Sequence, residues 1–216
     1  MKLLAIDTST ETASVALFTG EELFCEEQNN QKTHAQFIVP MIDKLMVNAG
    51  LQMNQLDGIV FGRGPGSFTG LRIACSIAKG LAYANDLQLI PVSSLAAIAW
   101  SVRQQKQTNH ISVLTVLDAR MHEVYWAYFA ENQWEAGEHV NPVKELHLPE
   151  NHSVILAGVG IDLYWNDFTS EIKSHISDKI TMNPSAAAMI QFAQSSGQKP
   201  LSAAEAQPVY VRNKVT

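Results

Sequence analysis

The chain contains an internal repeat in which an apolar strand ends at an aspartate and two further strands follow. The aspartate is Asp7 in the first copy and Asp118 in the second. The predicted strands are residues 2–7, 14–19 and 21–26 in the first copy and 111–117, 124–130 and 133–138 in the second. Hairpins that lead into crossover helices predict a mixed sheet, and the repetition is typical of a duplicated α/β unit. We therefore expect an α/β fold of two lobes, each built from a βββαβα unit.

Helices are expected where apolar residues recur at helical spacing between capping residues. The predicted helices are residues 34–48, 70–84, 93–105 and 186–195, and further short strands are predicted at 58–61, 88–92 and 153–157. A polar, glutamine-rich run at 104–109 separates the two halves. This predicts an N-terminal lobe at 1–105 and a reduced C-terminal lobe at 106–197, with the segment 198–216 packing back on the first lobe.

A glycine-rich loop lies between the strand at 58–61 and the helix at 70–84, a position where free helix amides often bind phosphate. Its glycines are Gly62, Gly64, Gly66 and Gly70, which match neither the P-loop nor the dinucleotide spacing. Ser67 is not a nucleophile elbow, because Pro65 and Thr69 occupy the flanking positions that would have to be glycine. The loop is therefore interpreted as a specific structural element without recognisable phosphate or nucleophile chemistry.

The run 64–72 resembles the signature of the bacterial TsaB (YeaZ) family. Four further collinear stretches fit the same family, namely 4–10, 91–95, 118–125 and 208–212. The resemblance implies an actin-like ATPase fold (the ASKHA, ribonuclease H-like class) and a role in making threonylcarbamoyladenosine beside the tRNA anticodon. It also implies a non-catalytic partner of the related enzyme TsaD, with the ATPase TsaE as a third component of the complex.

The loop after the first strand resembles the phosphate-1 loop of actin-like ATPases. By that resemblance Asp7, Ser9 and Thr10 would contact a nucleotide and its Mg²⁺, and Gly158 would belong to the second phosphate loop. The alternative is a turn in which Asp7 and Thr8 accept backbone amides. No cofactor is expected to be required, and weak binding of ATP or ADP is left open. A buried contact between Asp118 and Arg120, or a turn contact, is expected rather than catalysis.

The ligands of a catalytic metal are missing from the sequence. TsaD-type enzymes carry a pair of metal-binding histidines on the helix after a Pro-Val strand end, and alignment on Pro91-Val92 places those ligands at Ser94 and Ile98. Serine is a poor ligand and isoleucine is none. None of the seven histidines pair at i, i+4, and His122 begins a zincin-like motif whose second ligand position holds Trp126. We therefore expect no metal site.

The charge of the chain disfavours direct binding of tRNA. The formal net charge is −6, and the nearest approach to a basic cluster is Arg63, Arg72 and Lys79.

No apolar run reaches the ~18 residues of a membrane span, and an acidic residue comes too early for a signal peptide. Cys25 and Cys75 lack paired spacing. We expect a cytoplasmic protein that meets tRNA only through partners.

The first two helices leave apolar residues opposite their predicted core stripes, which is typical of a partner surface. The predicted stripes are Ile38, Met41, Ile42 and Leu45 on one helix and Ile73, Ala74, Ile77, Ala78 and Leu81 on the other. The candidate docking residues are Val39, Pro40, Asp43, Met46 and Val47, with Arg72, Cys75, Ser76, Lys79 and Tyr83. The alternative is that neighbouring segments of the same chain cover them.

The sequence thus favours a non-catalytic scaffold that docks on a TsaD-like enzyme and forms a homodimer when alone. A second hypothesis is an actin-like phosphotransferase or ATPase that uses Asp7 and the Ser9/Thr10 loop. A third is a glycopeptidase-like hydrolase, which the missing ligands and the missing nucleophile–base pair disfavour.

Overall fold

Two five-stranded mixed sheets organise the chain, one in each of two units. The structure is a computed structural model that describes residues 1–29, 34–148 and 152–212. The first unit comprises Met1–Ser94 and Pro184–Val209, and the second comprises Leu95–Asn183 and residues 210–212. The predicted lobe boundary at 105 therefore differs from the observed division, and so does the predicted placement of residues 184–197 in the second lobe.

The sheet of the first unit has the strand order β3-β2-β1-β4-β5. Its strands are β1 (Leu3–Asp7), β2 (Thr12–Phe18), β3 (Leu23–Asn29), β4 (Gly58–Gly64) and β5 (Leu89–Ser93). The hairpin pairs β1–β2 and β2–β3 are antiparallel, whereas β1–β4 and β4–β5 are parallel. Every residue of β1 is buried, as expected for a central strand whose two faces are both covered by helices.

Three helices cover this sheet: α1 (His34–Asn48), α2 (Phe68–Asn85) and α6 (Ala186–Ser196). α1 and α2 share a core with the side chains of Leu4 and Ile6, and α6 packs on the opposite face of the same strands. The predicted bounds of α1 are confirmed. Its predicted core stripe is also confirmed, because Ile38, Met41, Ile42 and Leu45 are all buried.

The predicted core stripe of α2 is only partly right. Ala74 and Ala78 are buried, but the other three residues of the stripe are half-buried: Ile73, Ile77 and Leu81. The buried side instead takes in Leu71, Cys75 and Ala82. Small residues let α2 pack closely on β4. Apolar or small residues surround most of this helix, so the sequence does not identify one core stripe.

The second unit repeats the topology of the first. Its strands are β6 (Ser112–Asp118), β7 (Glu123–Phe129), β8 (His139–Pro142), β9 (Val154–Gly158) and β10 (Ile176–Thr181). Their order, β8-β7-β6-β9-β10, reproduces that of the first sheet, and the antiparallel and parallel pairs correspond one to one. The predicted duplication of an α/β unit is confirmed. The third strand was predicted at 133–138 and lies at 139–142, and β10 was not predicted.

The helices of the second unit are α3 (Ser94–Lys106, from Leu95 onward), α4 (Ile161–Tyr164) and α5 (Ser170–His175). α3 is fixed in this unit by Arg103, whose guanidinium is buried and donates hydrogen bonds to backbone carbonyls before β6 and after β7. The ring of Trp134 lies 4.5 Å from the guanidinium carbon. These contacts explain why the division between the units falls before α3 rather than after it.

The C-terminal segment returns to the first unit as far as Val209. Leu201 pairs with Leu89 at the edge of β5, and the amide of Val209 donates to the carbonyl of Arg63 at 2.7 Å. Residues 210–212 group instead with the second unit, where Arg212 forms an ion pair with Glu123. The rest of the predicted packing segment, 213–216, lies outside the described residues. Over the part of the chain that the structure describes, no helix combines the length and the hydropathy needed to cross a membrane.

Candidate docking face and the closed loop beside it

The loop after β1 surrounds the carboxyl group of Asp7 with its own chain. The hydroxyl of Ser9 donates to Oδ2 of Asp7 at 2.9 Å, and the amide of Ser9 donates to the same oxygen at 3.3 Å. The other oxygen, Oδ1, is buried without a hydrogen-bond partner. Burial raises the pKa of Asp7 to about 7, and the hydrogen bonds from Ser9 oppose this shift only in part.

The glycine loop closes on the same residues. A Cβ added at Gly62 would overlap Oδ1 of Asp7, one added at Gly66 would overlap the carbonyl of Ser9, and one added at Gly70 would overlap the carbonyl of Thr8. Gly66 and Gly70 are required because two backbone segments pass at contact distance, and Gly62 is required because the side chain of Asp7 lies against it. Their spacing, which fits neither phosphate-binding motif, is explained by the fit of one loop against the other.

The predicted nucleotide residues of the first unit are therefore used internally. Asp7 and Ser9 are buried, and Thr10 is half-buried. Thr8 is buried as well, and its hydroxyl donates to the carbonyl of Gly70 at 2.6 Å. The turn proposed as the alternative to a phosphate loop agrees with these contacts for Asp7, which accepts the amide of Ser9.

The corresponding residues of the second unit also form an internal network. The hydroxyl of Tyr164 donates to Oδ1 of Asp118 at 2.8 Å, and Nη1 of Arg120 lies 3.1 Å from Oδ2. The expected contact between Asp118 and Arg120 is thus confirmed. Burial and the bond to Asp118 raise the pKa of Tyr164 to about 12. Gly158 has φ +136°, and an added Cβ would overlap the carbonyl of Val116, so close strand packing requires a glycine at this position.

The positions aligned with metal ligands lie inside the protein. Ser94 and Ile98 are fully buried on α3, and the hydroxyl of Ser94 has no hydrogen-bond partner. Within residues 1–29, 34–148 and 152–212, no three histidine, cysteine, aspartate or glutamate side chains converge as a metal site would need. The expectation that the chain binds no catalytic metal stays a prediction.

The outer sides of α1 and α2, which lie on the same face of the sheet, expose large apolar side chains. Val39 is 54% exposed, Val47 is 70% exposed and Tyr83 is 85% exposed. The other exposed members of the predicted set are Pro40, Asp43, Arg72 and Ser76, and Lys79 is half-buried. We call the exposed members, together with Lys79, the docking face.

Two residues of the predicted docking set are buried, and their assignment to the outer surface was wrong. Met46 packs into the core shared by α1, α2 and the sheet. Cys75 is buried where the C-terminal segment crosses α2, with Sγ 3.9 Å from the carbonyl of Ala206. Nζ of Lys79 donates to the same carbonyl at 3.0 Å, so a neighbouring segment covers this side of α2.

Helical periodicity missed other residues on the outer side of these helices. Ile73 and Ile77 are half-exposed, and Gly80 has no atom within 4 Å of an added Cβ. Phe68 is exposed at the start of α2, with the guanidinium carbon of Arg72 3.7 Å from its ring centroid. The sequence signal that could have revealed these residues is the number of apolar residues on α2, which exceeds what one buried stripe can hold.

Two sheets with the same 3-2-1-4-5 topology define a two-lobe, actin-like α/β protein. The family model described as "TsaD: tRNA N6-adenosine threonylcarbamoyltransferase" matches residues 24–201. The chain is 37% identical to the tRNA threonylcarbamoyladenosine biosynthesis protein TsaB of Haemophilus influenzae, over 100% of this chain and 95% of that protein. It is 32% identical to the TsaB of Escherichia coli, over 100% and 96% of the two chains.

Solved structures agree with this result. A crystal structure of a Pseudomonas aeruginosa protein with similarity to the peptidase YEAZ matches with a TM-score of 0.87 and 33% identity, over 98% of this chain and 99% of that chain. A second structure, YeaZ from the same organism, matches with a TM-score of 0.85 and 33% identity, over 97% and 99%. The chain belongs to the TsaB family, and its actin-like fold is confirmed.

Proposed function

We propose that this chain is a non-catalytic partner of a TsaD-type enzyme in the formation of threonylcarbamoyladenosine in tRNA. The relatives carry the name of that modification, and the matched family model is that of the transferase. The observation that carries the proposal is the exposure of Val39, Val47 and Tyr83 on two adjacent helices. Exposed apolar side chains grouped on one surface are typical of protein–protein interaction sites.

The absence of catalysis by the chain itself is part of the proposal. The carboxyl group of Asp7 is buried and bound by Ser9, so it is not presented to a substrate or to Mg²⁺. Ser94 and Ile98 stand where a TsaD-type enzyme would bind its metal. A rival ATPase function would have to open this loop first. We propose that no cofactor is required, and that any binding of ATP or ADP is weak.

The docking face offers apolar area for association with few charges on it. Val39 and Val47 supply apolar surface on α1, Ser76 allows close approach on α2, and Arg72 and Lys79 supply a polar rim. The same face would form a two-fold contact between two copies when the enzyme is absent, because an isologous pair brings each helix against its symmetry mate. We propose that self-association and binding of the enzyme compete.

Contact with tRNA and with a TsaE-like ATPase is assigned to the complex. The net charge of −6 disfavours direct binding of the polyanionic tRNA, so we propose that the chain contacts tRNA only through its partners. Cys25 and Cys75 are both free thiols. Free thiols agree with work in the reducing cytoplasm, where we place this function.

Co-purification with a TsaD-type enzyme tests the proposal. We expect a stable complex, and we expect hydrogen exchange to slow in α1 and α2 when the enzyme is present. A complex that protects only the second unit would move the docking site elsewhere. Absence of any complex, with tRNA modification unaffected by removing the chain, would overturn the proposed function.

A further inference from the structure

We infer that residues 8–11, here called the loop clamp, fix the first turns of both docking helices and so set the geometry of the docking face. Thr8 and His34 are then positioning residues for partner binding. The inference rests on the proposed function, because it concerns the same two helices. It gives the degenerate phosphate-1 loop a role that requires no nucleotide.

The clamp holds the start of α2 through two hydrogen bonds. The hydroxyl of Thr8 donates to the carbonyl of Gly70 at 2.6 Å, and the amide of Ser67 donates to the carbonyl of Ser9 at 2.7 Å. Ser67 is the N-cap of α2, and its hydroxyl accepts the amide of Gly70. The first turn of α2 is therefore bound to the clamp at its cap and at its third residue.

The clamp holds the start of α1 through a histidine. His34 is the first residue of α1 and is buried, and its Nε2 lies 3.1 Å from the carbonyl of Glu11. A carbonyl only accepts, so Nε2 carries the proton and donates. Just after the clamp, the hydroxyl of Thr12 donates to the side chain of Asn29 at 2.7 Å, at the end of β3. The first residues of both helices thus contact the same short loop.

The loop clamp is itself rigidly placed. It connects β1 to β2, two adjacent strands that pair from Leu3↔Phe18 to Asp7↔Ser14. The clamp cannot shift toward α2, because Gly66 and Gly70 already lie at contact distance from the backbone of the clamp. A Cβ atom added at either glycine would overlap that backbone. A displacement of the clamp would therefore be transmitted to α1 and α2 together.

Relative placement of the two helices matters for binding because a preorganised surface loses less entropy on association. Val47 lies on one helix, whereas Ser76 and Tyr83 lie on the other. A partner that contacts both helices requires one fixed arrangement of them. The clamp supplies that arrangement.

The test uses Thr8→Val, which removes the hydroxyl and keeps the shape, and Thr8→Ser, which restores the hydroxyl. Thr115→Val is the matched control, because Thr115 is also fully buried and its hydroxyl also donates to a backbone carbonyl, that of Ala127 at 3.2 Å. We expect Thr8→Val to weaken binding to the TsaD-type enzyme by up to about tenfold, because loss of one buried hydrogen bond within the chain lowers the population of the helix arrangement that binds. We expect Thr8→Ser to recover most of the affinity. Thr115→Val is expected to lower the melting temperature without changing affinity.

A second readout uses the isolated chain. Thr8→Val is expected to speed exchange of the amides that bond to the first-turn carbonyls of both α1 and α2, and His34→Leu is expected to do the same. If Thr8→Val matches Thr115→Val in affinity and leaves exchange in α1 unchanged, the clamp does not position the helices and the inference is wrong. If the wild-type chain does not bind the enzyme, the proposed function fails, while the exchange measurement still decides on the clamp.

Discussion

Gly62 lies so close to the carboxyl group of Asp7 that any side chain at position 62 would overlap Oδ1 of the aspartate. The ε-methyl group of Met189, on α6, lies 3.2 Å from the place that a Cβ atom at position 62 would occupy. The Asp7 carboxyl is therefore enclosed by β4, α6 and the Ser9 turn. We propose that this enclosure keeps the carboxylate from contacting a nucleotide.

Gly62→Ala is expected to destabilise the fold by about 2–4 kcal/mol, because the new methyl group must displace Asp7 or Met189 from a packed site. Gly80→Ala is the matched control. Gly80 lies within α2 with no neighbouring atom near an added Cβ, so alanine should raise stability by up to about 1 kcal/mol. Denaturant unfolding measures both, and equal effects of the two substitutions would contradict the enclosure of Asp7.

Stability should fall as the pH rises from about 4 to about 7. The pKa of Asp7 is raised from 3.8 to about 7 in the folded protein, so the folded state binds a proton in this window that the unfolded state has released. The stabilisation of the folded state by the protonated Asp7 carboxyl is fully present below pH ~4 and lost above pH ~7. A rise in pKa from 3.8 to about 7 corresponds to a change of about 4 kcal/mol in the free energy of unfolding.

Asp7→Asn should remove this part of the pH dependence, because the amide does not titrate. The measurement is the free energy of unfolding from pH 4 to pH 8 for both proteins. An identical slope in the wild type and in Asp7→Asn would show that Asp7 titrates normally in the folded state.

The glycine loop shows where prediction from the sequence stops. The apolar strands and Asp7 are visible locally, because burial on both faces selects continuous apolar residues. The reason for Gly70 is not local, since it makes contact with Thr8, which is 62 positions away in the chain. No spacing rule within 62–70 reveals that partner.

The candidate docking face shows a second limit. Helix periodicity placed Val39 and Val47 outside correctly, because α1 has one clear apolar stripe. It misplaced Met46 at the edge of that stripe and Cys75 on α2. Cys75 is buried because the chain returns through Ala206, and such a contact across 131 positions leaves no periodic signal.

Arg103→Met should destabilise the second unit by about 3 kcal/mol or more, because it removes the donor to the buried carbonyl of Phe129 and to the partly buried carbonyls of Ile111 and Gln133. Arg103→Lys should not recover the loss, since an ammonium group cannot reproduce the planar fork of a guanidinium. Lys106→Met on the same helix is the control; its ion pair with Asp178 is exposed and should cost under ~1 kcal/mol. Thermal unfolding compares the three, and a mild effect of Arg103→Met would contradict the structural role.

Mg-ATP should leave the melting temperature of the isolated chain nearly unchanged. Tight binding to the folded state would raise it, but Asp7 and Ser9 are buried and bound to each other. The control titration uses Mg²⁺ alone at the same concentration. A clear rise with Mg-ATP that disappears in Ser9→Ala would favour the ATPase hypothesis over the scaffold.

Central to the proposed function is the exposed face of α1 and α2, which is expected to make a TsaD-type enzyme competent. Val47→Asp places a charge on this face at a side chain that is 70% exposed, so the fold should be unaffected while the buried charge weakens association by roughly 100-fold or more. Leu163→Asp, at a side chain 68% exposed on α4, introduces the same charge at a residue that is not a member of the docking face.

The most direct measurement is tRNA threonylcarbamoylation by the reconstituted complex, with each variant supplied in place of the wild-type chain at limiting concentration. We predict that Val47→Asp loses the modification while keeping a wild-type melting temperature, and that Leu163→Asp supports the wild-type rate. Full modification with Val47→Asp, at concentrations where the wild type is limiting, would contradict the proposed role of the docking face.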